Sequence, residues 1–236
     1  MKKHDVVYIL KKDAPADELR YSIRSVVKNL PYRKIWFYCG KPDGIEPDEY
    51  IEHIQTGPTK WERAKSSVIE ICKNDDITEK FWLFNDDFFI LQPIRSEEPH
   101  HRGLLRDHIR EVESRHGNSA TLYTRELRRC YGLLRDAGYS SLSYAIHAPM
   151  LIERAKMLEA LKVFPTCPMF RSIYGNYAKI GGRMQKDYKL LNTTDKPDRD
   201  APVLSTSNKT FSGDVTRFIM ETFPEPSKYE TGRANG

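Results

Sequence analysis

The sequence has no apolar run near the roughly 20 residues that cross a bilayer as a helix. Its opening, Met1-Lys2-Lys3-His4-Asp5, leads into a β-type segment without the apolar stretch of a secretory leader. Cysteine is scarce: Cys39, Cys72, Cys130 and Cys167 are widely spaced and form no C-x-x-C pair. That pattern argues against a disulfide framework and reads as reduced thiols, so the expectation is a cytoplasmic protein, or one of the host cytoplasm if the source is viral. Internal repeats and low-complexity tracts are absent. So is a strong excess of one charge: 38 basic against 33 acidic side chains leave a net +5, which fits an anionic ligand as well as it fits any mildly basic protein. What remains is a polar but globular composition, 39% hydrophobic and 30% charged over 236 residues, long enough to bury a sizeable core.

The most informative stretch is Phe81-Trp82-Leu83-Phe84-Asn85-Asp86-Asp87-Phe88-Phe89-Ile90-Leu91, an apolar run broken by one polar triplet. Phe81 to Phe84 reads as a strand buried on both faces. Two adjacent carboxylates at its end repel each other and are costly to desolvate. A divalent cation relieves both problems, since Mg²⁺ and Mn²⁺ take hard carboxylate oxygens, and a metal so held can hold a diphosphate. The alternative is a plain turn, with Phe88 to Leu91 as the next strand of a hairpin.

Around this stretch the pattern is β-α-β-(β)-α-β. Asp5 to Leu10 reads as a strand. A helix follows from Ala16 or Asp17 to Asn29, with Leu19, Ile23, Val26, Val27 and Leu30 on one stripe. Lys34 to Cys39 is a second strand, Ile51 to Ile54 a short third, and Thr59 to Cys72 a helix. Such alternation implies a mainly parallel central sheet with helices on both faces, with ligands at the carboxyl ends of its strands. Residues 95 to 135 hold nine Arg and no Lys against six Asp or Glu. They read as two helices, Leu104 to His116 and one capped by Asn118 or Ser119 that runs to Ala137. The pair is either salt-bridged and solvated or a basic wall for a phosphate-bearing acceptor. Ser141 to His147 alternates like a strand, and Met150 to Lys162 reads as a helix. Another helix starts near Met169, Val203 to Thr206 is a short strand, and Gly213 to Thr222 a last helix. The expected organisation is one domain over residues 1–224, with an Arg-rich helical insertion at 95–138 and a structureless tail at 225–236.

Several of these segments resemble one family. Glu18-Leu19-Arg20-Tyr21-Ser22-Ile23-Arg24-Ser25 with Asn29 to Pro31, Ile77 to Phe81 into Phe84-Asn85-Asp86-Asp87-Phe88-Phe89, His147-Ala148-Pro149, and Phe170-Arg171-Ser172 are similar, in that order, to segments of the Stealth-type sugar-phosphate transferases. These include capsular polysaccharide phosphotransferases. The family's usual Trp-Val-Asp-Gly continuation of the first strand is replaced here by Ile9-Leu10-Lys11-Lys12-Asp13. The organisation also resembles GT-A glycosyltransferases, nucleotide-binding α/β folds with an Asp-x-Asp-like metal motif at a strand end.

The resemblance implies a nucleoside-diphosphate sugar as donor and Mn²⁺ or Mg²⁺ as cofactor. Asp87 and Asp86 are the expected metal ligands, and Asn85 bonds sugar hydroxyls or caps a turn. Arg20 pairs with a phosphate or else with Asp17 or Glu18. Lys60 and Arg63, at a helix start, form a phosphate perch or a solvated helix end. His147 is the expected general base toward an acceptor hydroxyl, and Arg171 the neutraliser of transition-state charge. Glycosyl transfer and sugar-1-phosphate transfer both remain open. The acceptor is a glycan, a lipid-linked saccharide, a protein or modified DNA. A different class also fits basic charge and an acidic pair: a nucleic-acid-binding module or a metal nuclease.

Overall fold

A computed structural model describes residues 1–12, 15–115, 117 and 121–231. Its centre is a five-stranded sheet. The strands are β1 (His4–Ile9), β2 (Tyr32–Tyr38), β3 (Glu49–Ile51), β4 (Lys80–Phe84) and β7 (Met150–Glu153), in the order β3-β2-β1-β4-β7. β1, β2, β3 and β4 run parallel, and β7 closes the β4 edge antiparallel. The sheet is thus mixed α/β and mainly parallel, as the alternation predicts.

Each face is covered because the inner strands are apolar on both sides. On one face lies α1 (Ala16–Asn29), which turns Leu19, Ile23 and Val26 onto Val6, Tyr8, Phe37 and Phe84. Full burial of each such side chain stabilises by about 2 kcal/mol. Val27, counted on the same stripe, is instead 41% exposed. On the other face lie α2 (Lys60–Lys73), α5 (Arg154–Val163) and α6 (Phe170–Tyr177). They pack Val68, Ile71, Met157, Leu161 and Tyr174 against Val7, Phe81, Leu83 and Ile152.

Two expectations fail at one place. Residues 141–147 form no strand, although Leu104 and Leu142 make a single bridge. Their alternating pattern is used by an extended loop that sinks Ser143, Tyr144 and Ile146 inward while Asn176 bonds the Leu142 amide and carbonyl. The strand comes later, at Met150–Glu153, where a helix was expected, and the helix starts only at Arg154. Met150, Met157 and Leu161 suit a helical stripe, but the open edge of apolar β4 needs a ladder partner and takes Met150 and Ile152 as its inward side chains.

Phe88 to Leu91 is likewise no hairpin partner of β4. After a turn closed by Phe88 N donating to Asn85 O at 3.4 Å, β5 (Phe88–Ile90) leaves the sheet and pairs antiparallel with β9 (Val203–Ser205). A third small ladder joins β6 (His100–His101) to β8 (Arg183–Met184) in parallel.

The Arg-rich stretch forms α3 (Leu105–Arg115) and α4 (Leu122–Asp136), capped by Thr121, whose Oγ1 accepts from Thr124 N at 3.2 Å. The expected caps Asn118 and Ser119 lie outside the described residues. Arg106, Arg110, Arg115, Arg128, Arg129 and Arg135 all make ion pairs with acidic side chains of α3 or α4. That favours the solvated, salt-bridged alternative, weakens the basic-wall reading and leaves less free charge for nucleic acid. No helix among the described residues is long and apolar enough to cross a membrane.

Part of the expected tail also departs from expectation, while residues 232–236 lie outside the described residues. After α7 (Gly213–Thr222), residues 225–231 fold back onto α1. Arg24 donates Nε and Nη2 to the two carboxylate oxygens of Glu230 at 2.7 Å each, and Nη1 to the carbonyls of Phe223 and Pro224 at 2.9 Å. Tyr229 is buried and donates to Asp48 Oδ2 at 2.6 Å. The Arg24 and Glu230 side chains are 3% and 8% exposed, so removing one strands the other in a dry setting. Glu230→Ala should lower unfolding free energy by about 3 kcal/mol in urea titrations. A loss below about 1 kcal/mol, the range of surface pairs, would contradict the clasp.

Candidate active site

The carboxyl edge of the sheet gathers the site. β1, β2 and β4 end there at Ile9, Tyr38 and Phe84, followed directly by Asn85, Asp86 and Asp87. β7 runs the other way. Because Leu83 sits opposite Met150, the residues preceding β7, His147 and Ala148, emerge at the same edge. The failed strand assignment therefore has a chemical consequence: an antiparallel β7 carries His147 to the acidic pair.

A short extended segment, Asp187-Tyr188-Lys189, binds the two halves together. Alternation puts Asp187 and Lys189 on one face and Tyr188 on the other. Asp187 holds His147 three ways: from the His147 backbone amide to Oδ1 at 2.9 Å, and between ring Nδ1 and both carboxylate oxygens at 3.1 and 2.9 Å. Lys189 donates from Nζ to Asp87 Oδ2 at 2.9 Å. Tyr188 OH meets His100 Nδ1 at 2.9 Å, and its carbonyl accepts from Ser205 N at 3.0 Å, so the segment is fixed from both sides.

Charge in this cluster follows from burial. Asp86 titrates above the ordinary carboxylate range, first because burial penalises its charge and next because Asp87 repels it. Glu18, only 5% exposed, accepts from Thr206 Oγ1 at 2.7 Å and is also raised, by burial first and by Asp86 and Asp87 after it. Burial also opposes ionisation of Asp187, but the hydrogen bond and charge of His147, its backbone amide and Arg102 outweigh this and hold the group well below its usual value. Arg102 Nη1 donates to Asp187 Oδ2 at 3.1 Å, while its Nη2 is taken by Glu111. Burial lowers the Arg171 guanidinium to about 10, against the pull of Asp187 and Asp87, so it stays charged at neutral pH. Arg171 Nη2 donates to Ala148 O at 2.6 Å, and its buried Nε has no partner.

Of the residues singled out in the sequence, Asp86, Asp87, His147 and Arg171 come together. Asn85 is exposed at the turn beside them. Arg20 is placed otherwise: its Nε lies 3.5 Å from Glu230 Oε2, beside the C-terminal clasp and not against the acidic pair. Lys60 and Arg63 are exposed in the first turn of α2, and their side chains make no hydrogen bond or ion pair among the described residues. The N-terminus they flank is already closed by a capping box, in which Thr59 Oγ1 accepts from Glu62 N at 3.2 Å and Thr59 N donates to Glu62 Oε2 at 3.1 Å. Glu62 therefore occupies the position a phosphate would take.

Sequence reading missed Glu18, Asp187 and Lys189. Glu18 resembles an ordinary first-turn acid of a helix, and Asp187 and Lys189 stand in a polar stretch without a motif. An i, i+2 pair of opposite charge was the one available cue.

Two features favour a divalent cation at Asp86–Asp87: the pair's unfavourable charge and the buried Asp87 Oδ1, which has no hydrogen-bond partner. No group of three or more His, Cys, Asp or Glu suited to a metal is found among the described residues. The residues thus fit a cation that takes one or two carboxylates and completes its shell with water and phosphate, the habit of Mg²⁺.

The depressed Asp187 carboxyl gives a pH-dependent test. A carboxylate with a lowered folded value adds stability above its unfolded value, and the gain disappears as pH falls through the folded one. Asp187→Asn should cost about 2 kcal/mol in urea titrations near pH 7, with the gap to the parent narrowing toward about pH 3. A gap independent of pH would contradict an ionised Asp187 as the anchor.

No protein-family model matches the chain. Over 87 residues it is 34% identical to the capsular polysaccharide phosphotransferase LcbA of Aeromonas hydrophila, a match covering 33% of this chain and 24% of that protein. The aligned part thus spans about a quarter of the length of that curated relative. Among solved structures, the galactosyltransferase LgtC, crystallised with donor and acceptor sugar analogs, superposes with a TM-score of 0.48 at 12% identity, covering 96% of this chain and 98% of that one.

Proposed function

We propose that this protein is a transferase that moves a sugar unit from a nucleoside-diphosphate sugar to an acceptor hydroxyl, with Asp86 and Asp87 holding a divalent cation. The observation that carries the reading is the Asp187–Lys189 segment, which ties a hydrogen-bonded His–Asp pair to an acidic pair at the carboxyl edge of a parallel sheet. The partial sequence match to a capsular polysaccharide phosphotransferase supports the same chemistry.

In this reading Asp187 accepts the Nδ1 proton of His147, which leaves Nε2 as the acceptor nitrogen. His147 takes the proton of the acceptor hydroxyl at Nε2 as the oxygen attacks. The bond to the departing nucleotide breaks, and its electron pair stays on the phosphate oxygen. Arg171 supplies fixed positive charge beside that oxygen. Asp86 and Asp87 would hold the divalent cation, which would supply Lewis-acid neutralisation of the diphosphate when bound. Asn85 offers an exposed amide to sugar hydroxyls. The acceptor class is a glycan, a lipid-linked saccharide or a protein.

A second reading places the attack at the phosphorus that bears the sugar, giving sugar-1-phosphate transfer; the printed name of the Aeromonas relative favours it. The two differ in the nucleotide released, a diphosphate for attack at carbon and a monophosphate for attack at phosphorus.

The test is a thermal-shift screen against nucleoside-diphosphate sugars with and without Mn²⁺. One donor should raise the Tm only with metal, and Asp87→Ala should remove the shift. Absence of any shift, together with salt-dependent DNA binding, would overturn the reading in favour of a nucleic-acid function. With the donor identified, His147→Gln should lower kcat about 100-fold to 10,000-fold with KM nearly unchanged. Retention of more than about a third of parent kcat, well outside that range, would remove His147 from the base role.

A further inference from the structure

Asp87 is already neutralised, but by only half. Its Oδ2 is held by Lys189 at 2.9 Å, while its buried Oδ1 has no donor. The Asp87 and Lys189 side chains are 13% and 20% exposed, so this is a shielded ion pair next to water and not a surface contact. Among the described residues, Lys189 is the one ammonium in hydrogen-bond contact with the neighbouring carboxyls of Glu18, Asp86 and Asp87. Lysine suits a temporary partner: it is a point charge on a flexible four-carbon stem, without the fork that locks arginine to a carboxylate. Its backbone, by contrast, is fixed, since Leu190 N donates to Ser205 O at 2.9 Å and Asp187 is anchored by His147 two residues earlier.

We propose that Lys189 is a built-in counter-ion that occupies the cation's place on Asp87, yields it when a divalent ion binds, and then turns its ammonium to the diphosphate. The inference rests on the reading of Asp86–Asp87 as a cation site. It adds a competitor inside the protein and a phosphate-binding residue that no motif marked. A divalent cation satisfies both Asp87 oxygens where lysine reaches one, which gives the exchange its direction.

The two halves predict effects of opposite sign, which a merely structural lysine would not produce. In Lys189→Met, Mn²⁺ alone, followed by electron paramagnetic resonance of the free ion, should bind about 10-fold more tightly than to the parent, since it no longer displaces an ammonium. Inorganic pyrophosphate, titrated calorimetrically in saturating Mn²⁺, should bind about 10-fold more weakly, having lost one cationic partner. Lys189→Gln, which keeps a donor to Asp87 without the charge, should show the same two signs and replaces the Met variant if that one does not fold. Equal or weaker Mn²⁺ affinity in the variants overturns the exchange and leaves the cation site standing. Unchanged pyrophosphate affinity overturns the transfer to phosphate. If parent and variants all fail to bind Mn²⁺, or if Asp87→Asn binds it as well as the parent, the cation reading itself falls and the exchange with it.

Discussion

The antiparallel pairing of β4 with β7 determines where the chemistry of this molecule sits. Strand β4 is apolar on both faces, and its outer edge cannot be left to water without cost. A parallel partner on that edge would have sent its preceding residues to the far side of the sheet. An antiparallel one presents them at the near side, so Leu83 opposite Met150 brings His147 next to the residues that follow Phe84. The acidic turn, the imidazole and the Ala148 carbonyl that anchors Arg171 all follow from that single choice of direction.

Around this edge, fixed and movable charges are separated. The His147–Asp187 pair is over-determined: three contacts from one residue, with Arg102 behind the carboxylate and Glu111 behind Arg102. Such bracing suits a base that must keep one orientation. The acidic pair is the reverse. One oxygen of Asp87 lacks a partner, Asp86 holds its proton more tightly than a free carboxyl would, and the ammonium bonded to Asp87 sits on a flexible lysine stem. A site that receives a charged ligand benefits from such incompleteness, because the ligand replaces what the protein leaves out. At the opposite end of the molecule's needs, the Arg24–Glu230 clasp is buried and complete, and it serves the fold.

Much of the fold is written in local pattern. The helices at Ala16–Asn29, Lys60–Lys73 and Gly213–Thr222 follow their apolar stripes and lie within a residue or two of the expected limits. The strands Asp5 to Leu10 and Phe81 to Phe84 follow their β-branched and aromatic content in the same way. Long-range pairing is not written there. Residues 141–147 alternate yet make only one bridge and no strand, Met150–Glu153 suits a helix yet serves the ladder that β4 needs, and Phe88–Ile90 crosses to a partner more than a hundred residues on. The site divides along the same line. The Asn85-Asp86-Asp87 triplet stands out because carboxylates after a buried strand are costly. Asp187, Lys189 and Glu18 do not, because their importance comes from a fold-level meeting with residues far away in the chain. Arg24 and the 225–231 segment show the same limit in structural form: nothing near Glu230 announces that its partner lies on the first helix.

The central claim is that a cation bound by Asp86 and Asp87 shares one site with His147. Paramagnetic broadening of histidine ring resonances by substoichiometric Mn²⁺ tests it directly, with His147 assigned through His147→Gln. The account predicts that the His147 signals broaden before those of His4 and His53, and that Asp87→Asn abolishes the effect. Broadening of another histidine first, or of none while Mn²⁺ is bound, would contradict it.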